Sequence, residues 1–532
     1  MAAATSSTRS LWHATVDLPT HPPLSANITA EVCVIGAGIA GLTTAYLLAR
    51  QGVSVVVVEA LGIGAGETGR TTAHIAVPDD RYWYIEQTQG SDTARLVAES
   101  FAAATECIET TIRTEQIDCD FSRVDGYLFS CAADPRAELQ REHDAARRAC
   151  VDVAFEDQLP IATLGAGPCL RFRKQAQFHP LRYLAGLASA IERLRGAIFT
   201  GTRVVDVEER EGGVIVHTPT GKIVADSAVV AANTPFNDRV AIHTKQYAYQ
   251  TYVVAATIKR DSVPRVLLWD DADPYHYIRL APGSEPEQEL LIVGGADHKT
   301  GQESDPQRRF DELEAWLRER FPRAGALAYR WSGEVMEPLD GLAYLGRNPG
   351  SEHVYVITGD SGNGITHATI GGMLVSDMIM GRQNRWLGVY EPGRKPLKET
   401  MQFLREQSHI AAQYADWVSS GDDVEVAALA PGDGALISSG LKKFAVYRDE
   451  QGGLHCHSAK CPHLGCVVRW NNAEKTWDCP CHGSRFNAYG SVLHGPAMSG
   501  LAAVDEDEWA EVTGLPPPSH RLGDHQIEDR DQ

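Results

Sequence analysis

Toward its C-terminal end the chain reads Cys461-Pro-His463-Leu-Gly465-Cys466 and then Cys479-Pro-Cys481-His482-Gly483-Ser484. No other stretch constrains the fold as tightly. Thiols and imidazoles at this spacing are metal ligands, and the two loops that carry them must meet in space. Two ligand sets are open. A structural zinc would take Cys461, His463, Cys479 and His482 as one closed tetrahedron. A [2Fe-2S] centre would take two thiolates on one iron and two imidazoles on the other. Three details favour the two-iron set. Each loop supplies one Cys and one His, so each can touch both irons. Each loop also carries a further cysteine, Cys466 and Cys481. Each has a glycine beside the ligands, Gly465 and Gly483, where backbone N–H groups can approach sulfur.

The pattern resembles the Rieske family, C-x-H-x-G-C followed by C-x-C-H-G-S, over about residues 420–510. The resemblance implies a small all-β domain, taken as residues 423–512. It puts Cys461 and Cys479 on one iron, His463 and His482 on the other, and pairs Cys466 with Cys481. Ser484 matches the family serine whose hydroxyl bonds a cluster sulfide. Two residues on, high-potential members carry Tyr where this chain has Phe486. Loss of that donor implies a lower potential, because hydrogen bonds to the sulfurs stabilise the reduced, more negative cluster.

The rest of the chain is far too long for this domain alone. Its 532 residues suggest about two to four domains. With 43% hydrophobic and 22% charged residues it has a soluble globular make-up. The longest apolar run, near residues 53–58, is too short to span a bilayer. Residues 1–10 lack the apolar core of a secretory signal, so the expected compartment is the cytoplasm. A formal charge of −21 argues against nucleic acid as a partner. It could steer cationic substrates or a basic electron carrier, though an ordinary acidic protein carries similar charge. Five of the eleven cysteines lie at positions 456–481; the other six show no pairing pattern and are expected to be thiols.

Near the N-terminus, residues 32–35 read as a buried strand and residues 42–50 as a helix ended by Gly52. Residues 53–58 read as a second strand closing on Glu59. Between the first strand and the helix lie Gly36, Gly38 and Gly41. Gly36 permits the tight turn, Gly38 the close approach of a pyrophosphate, and Gly41 the packing of helix on strand. The helix N-terminus stabilises phosphate charge, and Glu59 can accept from ribose hydroxyls. This is a dinucleotide site, and the motif alone does not separate FAD from NAD.

The loop directly after the acidic strand separates them. It reads Gly62-Ile-Gly64-Ala-Gly66-Glu67-Thr68-Gly69-Arg70-Thr71-Thr72-Ala73-His74. It resembles the loop that passes the pyrophosphate and flavin ring in the D-amino-acid oxidase-like (DAO) flavoenzymes. The segments at residues 10–14 and 22–24 resemble the amine-oxidising branch of that family, the γ-glutamylputrescine oxidases. The resemblance covers about residues 10–390. It implies an α/β fold: a Rossmann-like FAD-binding domain with an antiparallel-sheet substrate lobe, interleaved over residues 30–393, the lobe at about 77–180 and 240–330. Residues 1–29 are then an extension, 394–422 a helical linker and 513–532 a flexible tail. Beyond the three glycines and Glu59, the implied FAD contacts are Ile39, Ala40, Ala60, Thr68, Gly69, Thr71, Thr72, Val204, Ala232, Asn233, Asp360, Gly362, Asn363, Gly364 and Ile365. The turn at residues 359–364 would present a helix N-terminus to the flavin pyrimidine and stabilise negative charge there.

Local patterns fill in the middle. Helices are expected at residues 94–115, 135–150, 180–191, 306–321, 368–380 and 397–418, with Asp305 capping the fourth. His179 reads as a helix-capping or packing residue. Strands are expected at 126–129, 199–204, 214–218 and 225–235, the last ending in small residues. Alternating Tyr, Val and Ile at 245–258 and 275–293 predict an antiparallel sheet, with Tyr247, Tyr249, Tyr252, Tyr275 and Tyr277 as pocket walls. Residues 442–453 predict a hairpin feeding the first ligand loop.

Together the two resemblances imply a dehydrogenase. A small amine or amino acid loses hydride to FAD, and electrons leave singly through the cluster to a ferredoxin, cytochrome or quinone-linked acceptor. The alternative is a relay fed by NAD(P)H or a protein, which has no need of a roofed pocket. A Rieske oxygenase would need a further two-His, one-carboxylate iron site, and none stands out. No catalytic residue is assigned. His74, at the end of the flavin loop, is the candidate polar group, followed by His367.

Overall fold

The computed structural model describes residues 8–78, 81–236, 242, 244–394, 422, 424–440 and 442–515. Strand Ile28–Ile35 lies at the centre of an eight-stranded sheet. Its last four residues are buried, as a strand covered on both faces requires. It pairs in parallel with Val55–Val58 on one side and Lys222–Val230 on the other, and these pair in parallel with Ala197–Phe199 and Val354–Thr358. Helix Ile39–Ala49 starts three residues before the expected 42, because Gly38 is its N-cap. Helix Gly364–Ile379 starts four residues before the expected 368 and packs on the first, Gly372 facing Thr43. Both ordered turns, Gly36–Gly38 and Gly359–Asn363, therefore end in helix N-termini at the same edge of the sheet.

The strand expected at 199–204 ends at Phe199. Gly201 has φ +58°, and the chain leaves the sheet, returning Thr202 N–H to Glu59 O at 2.8 Å. Val204 thus reaches inward from a loop. Asp305 stands at the N-cap of helix Pro306–Arg320, but its side chain makes no capping bond. His179 does cap helix Pro180–Arg193, accepting from Arg182 N–H at 3.2 Å. Ser10 Oγ and Trp12 Nε1 donate to Gly69 O and Thr71 O at 2.6 Å each, so the N-terminal segment braces the loop at residues 62–74.

The second sheet has nine strands. Its order runs Leu327–Pro338, Gln246–Lys259, Gln288–Lys299, His276–Pro282, Leu267–Asp270, Ser122–Phe129, Cys169–Gln177, His74–Ile75, with Val153–Glu156 on Cys169–Gln177. Alternation along Gln246–Lys259 splits it between two cores. Val253 and Ala255 join the main core; Tyr252, Val254 and Ala256 pack with Phe310, Leu313 and Leu317 of the surface helix. Tyr252 therefore faces away from the cavity, hydrogen-bonded to His298 at 2.9 Å, contrary to its expected place as a pocket wall.

The C-terminal unit consists of two small antiparallel sheets. One holds Asp433–Ser439, Lys442–Arg448 and Leu454–Ser458. The other holds Arg469–Asn471, Thr476–Asp478, Arg485–Asn487 and Val492–His494. The hairpin expected at 442–453 forms. A helix, Glu506–Thr513, closes the unit with a capping box of Asp505 and Glu508. The expected linker helix at 397–418 and the tail beyond 515 lie outside the described residues. No helix among the described residues is long and apolar enough to cross a membrane.

Candidate functional site

One cavity of about 290 Å³ runs between the two large sheets. At one end it is built by Gly36, Gly38, Ile39, Ala40, Glu59, Ala60, Thr68, Thr71, Thr72, Val204, Ala232 and Asn233. At the other it is built by Asp360, Gly362, Asn363, Gly364 and Ile365. Gly41 and Gly69 are not part of its lining. A Cβ on Gly41 would sit 1.9 Å from Gly36 O, so Gly41 sets the helix-to-turn packing; Gly69 packs on His13. Gly36 has φ +111°, and a Cβ there would meet Ala231 O at 2.5 Å. The backbone donors at the turn face the cavity side chains. Glu59 Oε2 accepts from Ala37 N–H at 2.9 Å, and Thr68 Oγ1 from Ile39 N–H at 3.1 Å. Burial pushes the Glu59 carboxyl up, against N–H bonds from Ala37 and Leu61 and the charge of Arg203. A helix N-terminus entered through Gly36 and Gly38, beside a buried carboxylate, fits the pyrophosphate and ribose of FAD. Gly41→Ala is expected to weaken flavin binding by about 1–3 kcal/mol, roughly 5- to 150-fold in Kd. Flavin content per chain after gel filtration measures it.

Over the other end, His74 is half-buried, and loss of solvent with the Arg279 charge pushes it down to about 3. Its Nε2 faces Ile278 O at 3.3 Å and its Nδ1 faces Thr72 Oγ1 at 3.0 Å, so the neutral ring donates from Nε2. Both nitrogens are engaged in fixing the loop to the sheet. His367 also lines the cavity; it is pushed down to about 4 by burial, and Nδ1 donates to Asp360 O at 2.8 Å. Asp360 itself is pushed up to about 7 by burial, while its Oδ1 accepts from Met336 N–H at 2.8 Å. Of the five tyrosines expected as walls, Tyr275 and Tyr277 line the cavity, joined by Trp269, Thr251 and Val335; Tyr247, Tyr249 and Tyr252 do not.

The two ligand loops lie together. Cys461 and Cys479 hydrogen-bond sulfur to sulfur, which lowers the first thiol and raises the second. The N–H groups of His463 and Leu464, and the Ser484 hydroxyl, approach the Cys461 sulfur; those of Cys481 and His482 approach Cys479. The His463 and His482 rings stand 4.9 Å apart, nearly perpendicular. Cys466 and Cys481 form a disulfide with Cα atoms 6.5 Å apart. Among the described residues, no three of the four expected ligands bring donor atoms within 4.8 Å of one another. One zinc at about 2.0–2.3 Å from four donors would need closer convergence. Paired sulfurs and paired imidazoles instead fit two irons, with the N–H groups serving the sulfurs. The one converging triplet, Cys466, Cys479 and Cys481, contains the disulfide and is no metal site.

Phe486 is fully buried in the same cluster of side chains as Cys461, Cys466, Cys479 and Cys481. Phe486→Tyr is expected to raise the cluster midpoint by about 20–60 mV, the one-electron equivalent of roughly 0.5–1.5 kcal/mol for one hydrogen bond. Redox titration followed by electron paramagnetic resonance checks it, and an unchanged midpoint would remove Phe486 from the account.

The two sites are joined. Leu493, His494, Gly495, Ala497 and Met498 of the C-terminal unit line the main cavity. Ala497 N–H donates to Ser484 Oγ at 3.0 Å, so one loop touches both the cluster serine and the flavin cavity. On the second sheet, a Cβ on Gly483 would meet Ala248 and Glu334, and one on Gly301 would meet Pro480. Arg70 of the flavin loop pairs with Glu474 at 3.1 Å, and Asn471 donates to Gln250 Oε1 at 3.2 Å. Beneath them Arg485 is buried against Asp478 at 3.1 Å and Glu474 at 4.0 Å. Burial works against its charge, yet Asp478, Glu474, Glu334 and Glu67 outweigh it and hold its pKa above the ordinary value.

Several of these residues carry no local sequence signal. Glu67, Arg70 and Arg203 sit among expected contacts but read as ordinary loop charges; His494 and Ala497 lie more than four hundred residues from the glycine turn. One signal was available. Gly294-Gly295 inside a strand pattern marks a β-bulge, and here Ala296 and Asp297 together oppose Thr251. Asp297 is pushed up to about 7 by burial, opposed by the nearby hydroxyls of Thr251 and Tyr275.

Comparison with known proteins agrees with this geometry. Residues 31–378 match the family model described as DAO, FAD dependent oxidoreductase, and residues 419–505 match the Rieske [2Fe-2S] domain. The Rieske 2Fe-2S iron-sulfur protein YhfW of Bacillus subtilis is 30% identical over 500 residues, 93% of this chain and 97% of that protein. The γ-glutamylputrescine oxidoreductase of Escherichia coli is 27% identical over 381 residues, 68% of this chain and 86% of that one. The crystal structure of glycine oxidase from Geobacillus kaustophilus superposes with TM-score 0.59 at 18% identity, covering 69% of this chain and 99% of that one, a likeness of fold. The chain therefore belongs to the DAO family of FAD dependent oxidoreductases, and carries behind that domain a Rieske domain for a [2Fe-2S] cluster.

Proposed function

We propose that this oxidoreductase oxidises a C–N bond of a small amine or amino acid and passes the electrons, one at a time, through its cluster to an external one-electron carrier. Bound FAD supplies a two-electron acceptor and the [2Fe-2S] cluster a one-electron outlet. The observation that carries the reading is the 493–498 loop, which lines the flavin cavity while its Ala497 N–H holds the cluster serine. A covalent tether already places donor and outlet at high effective concentration, and the packed interface fixes their orientation.

The chain's own groups divide the work. The N-termini of helices Ile39–Ala49 and Gly364–Ile379 place positive dipole ends on the pyrophosphate and on the flavin end of the cavity. His74 and His367, held neutral, add no charge that would oppose a cationic substrate. Tyr275, Tyr277 and Trp269 line the cavity and supply aromatic surface to its reacting end. The test is anaerobic titration of the full chain with amines and amino acids, reading flavin absorbance. Bleaching by a member of either class supports the reading. Bleaching only by NAD(P)H would replace it with the relay.

A further inference from the structure

Three segments of the flavin half that shape the dinucleotide end of the cavity each touch one short stretch of the cluster half. Arg203, beside Val204, donates from Nη2 to Val492 O at 3.0 Å. A Cβ on Gly66 would stand 3.9 Å from His494 Cε1, and one on Gly495 would stand 3.7 Å from Thr234 O. Thr234 directly follows Ala232 and Asn233, and Gly66 lies two residues before Thr68. Thr68 in turn abuts the glycine turn. A Cβ on Gly38 would meet its Oγ1 at 3.1 Å, and that oxygen accepts from Ile39 N–H. The strand Val492–His494, with the residues after it through Met498, therefore lies across the cavity beside the turn that places the diphosphate.

This strap belongs to the fold of the cluster unit. Val492–His494 pairs with Arg485–Asn487, and Ala497 N–H donates to Ser484 Oγ at 3.0 Å. His494 lines the cavity, and its Nδ1 stands 3.6 Å from Glu67 Oε1, beyond hydrogen-bond range. Among the described residues no hydrogen bond engages the ring. Burial and the charges of Arg485, Arg70 and Arg203 push His494 well below its ordinary value, so the ring is neutral and carries one N–H. Burial pushes the facing Glu67 carboxyl up, which reduces its competing negative charge. An N–H donor in this setting suits a phosphate oxygen.

We propose that the cluster unit supplies part of the FAD site. His494 and the strap at residues 492–498 close the cavity over the diphosphate, and FAD binding and docking of the cluster unit strengthen each other. Linkage makes this reciprocal: the factor by which docking raises FAD affinity is the factor by which FAD favours docking. The inference concerns retention of the cofactor and is independent of which substrate is oxidised.

The experiment uses the full-length protein with both cofactors bound. Release of FAD after dilution is read as the rise of free-flavin fluorescence. His494→Ala removes the strap's donor and is expected to speed release by about 10-fold. Gln250→Leu acts from a distance. Gln250 lies outside the cavity lining, accepts from Asn471 of the cluster unit at 3.2 Å, and donates to Ser332 Oγ at 2.8 Å. Its loss is expected to speed release by about 3- to 10-fold and to leave the paramagnetic signal of the cluster unchanged. With FAD in excess both variants remain filled, so the effect is one of affinity. The reciprocal arm needs no variant. Removing FAD from the wild-type protein is expected to speed amide hydrogen exchange at residues 492–498 and 469–478 by about 10-fold, while strand Lys442–Arg448 of the other small sheet exchanges as before. Strap exchange that is indifferent to FAD overturns the proposal, even if a variant fails to fold. Release at the wild-type rate from both variants also overturns it. Faster release from His494→Ala with an unchanged rate from Gln250→Leu overturns the coupling.

Discussion

Cys479→Ser is expected to remove the cluster and leave the flavin. Cys479 is buried, its sulfur meets that of Cys461, and it has N–H approaches from Cys481 and His482. Serine offers none of the soft ligand character that a two-iron centre requires. The loops lie at the far side of a packed interface from the glycine turn, so Gly36, Gly38 and Glu59 keep their geometry. Substrate-driven bleaching of the flavin should therefore proceed at the wild-type rate. Reduction of a one-electron acceptor should fall by about 100-fold or more, the scale on which a tethered site exceeds a free one. The paramagnetic signal of the reduced cluster should be absent. A variant that loses flavin together with the cluster would show that the two sites do not fold separately.

The second large effect is expected at Arg485. Its guanidinium is 2% exposed and faces Asp478, Glu474, Glu334 and Glu67, with Arg70 as the other nearby cation. Arg485→Met keeps much of the volume and strands the carboxylates. Breaking a buried charge network at one partner costs about 3–5 kcal/mol. Glu334 is already raised well above its ordinary value by burial and by Glu67, so part of the loss will be met by protonation. Glu67 and Glu334 belong to the flavin half, Asp478 and Glu474 to the cluster half. The variant should therefore loosen the docking of the halves as well as lower the denaturation midpoint. Bleaching by substrate should survive, while cluster reduction slows. Equal slowing of both steps would mean that Arg485 supports the cavity itself.

How much of the fold and the site was legible in the sequence is a matter of range. The ligand loops and the glycine turns are local, since residue type and spacing set their chemistry within a few residues. Helices and strands declared their cores by period, and their starts shifted by three or four residues where a glycine or Asn cap took over. Tyr252 misled because five tyrosines were assigned to one wall, although Tyr249 and Tyr252 have opposite parity on a strand. Asp297 was hidden for the opposite reason, because a bulge reverses the parity that alternation predicts. The docking of the two halves left no local trace. Arg485 reads as a charge beside a ligand loop, and only the fold brings Glu67 and Glu334 to it. The N-terminal residues Ser10 and Trp12, read as an extension, brace the flavin loop through contacts that span 59 positions.

The central claim is that electrons released in the cavity leave through the cluster of the same chain. Rapid mixing of the oxidised protein with an amine that bleaches it, without oxygen, followed by freeze-quenching, tests this most directly. Flavin absorbance and the electron paramagnetic resonance signal of the reduced cluster are read on the same time points. The account expects the cluster signal to rise after flavin bleaching begins, at a rate independent of protein concentration. A flavin that reduces fully while the cluster stays oxidised, or a cluster that reduces only in proportion to protein concentration, would contradict it.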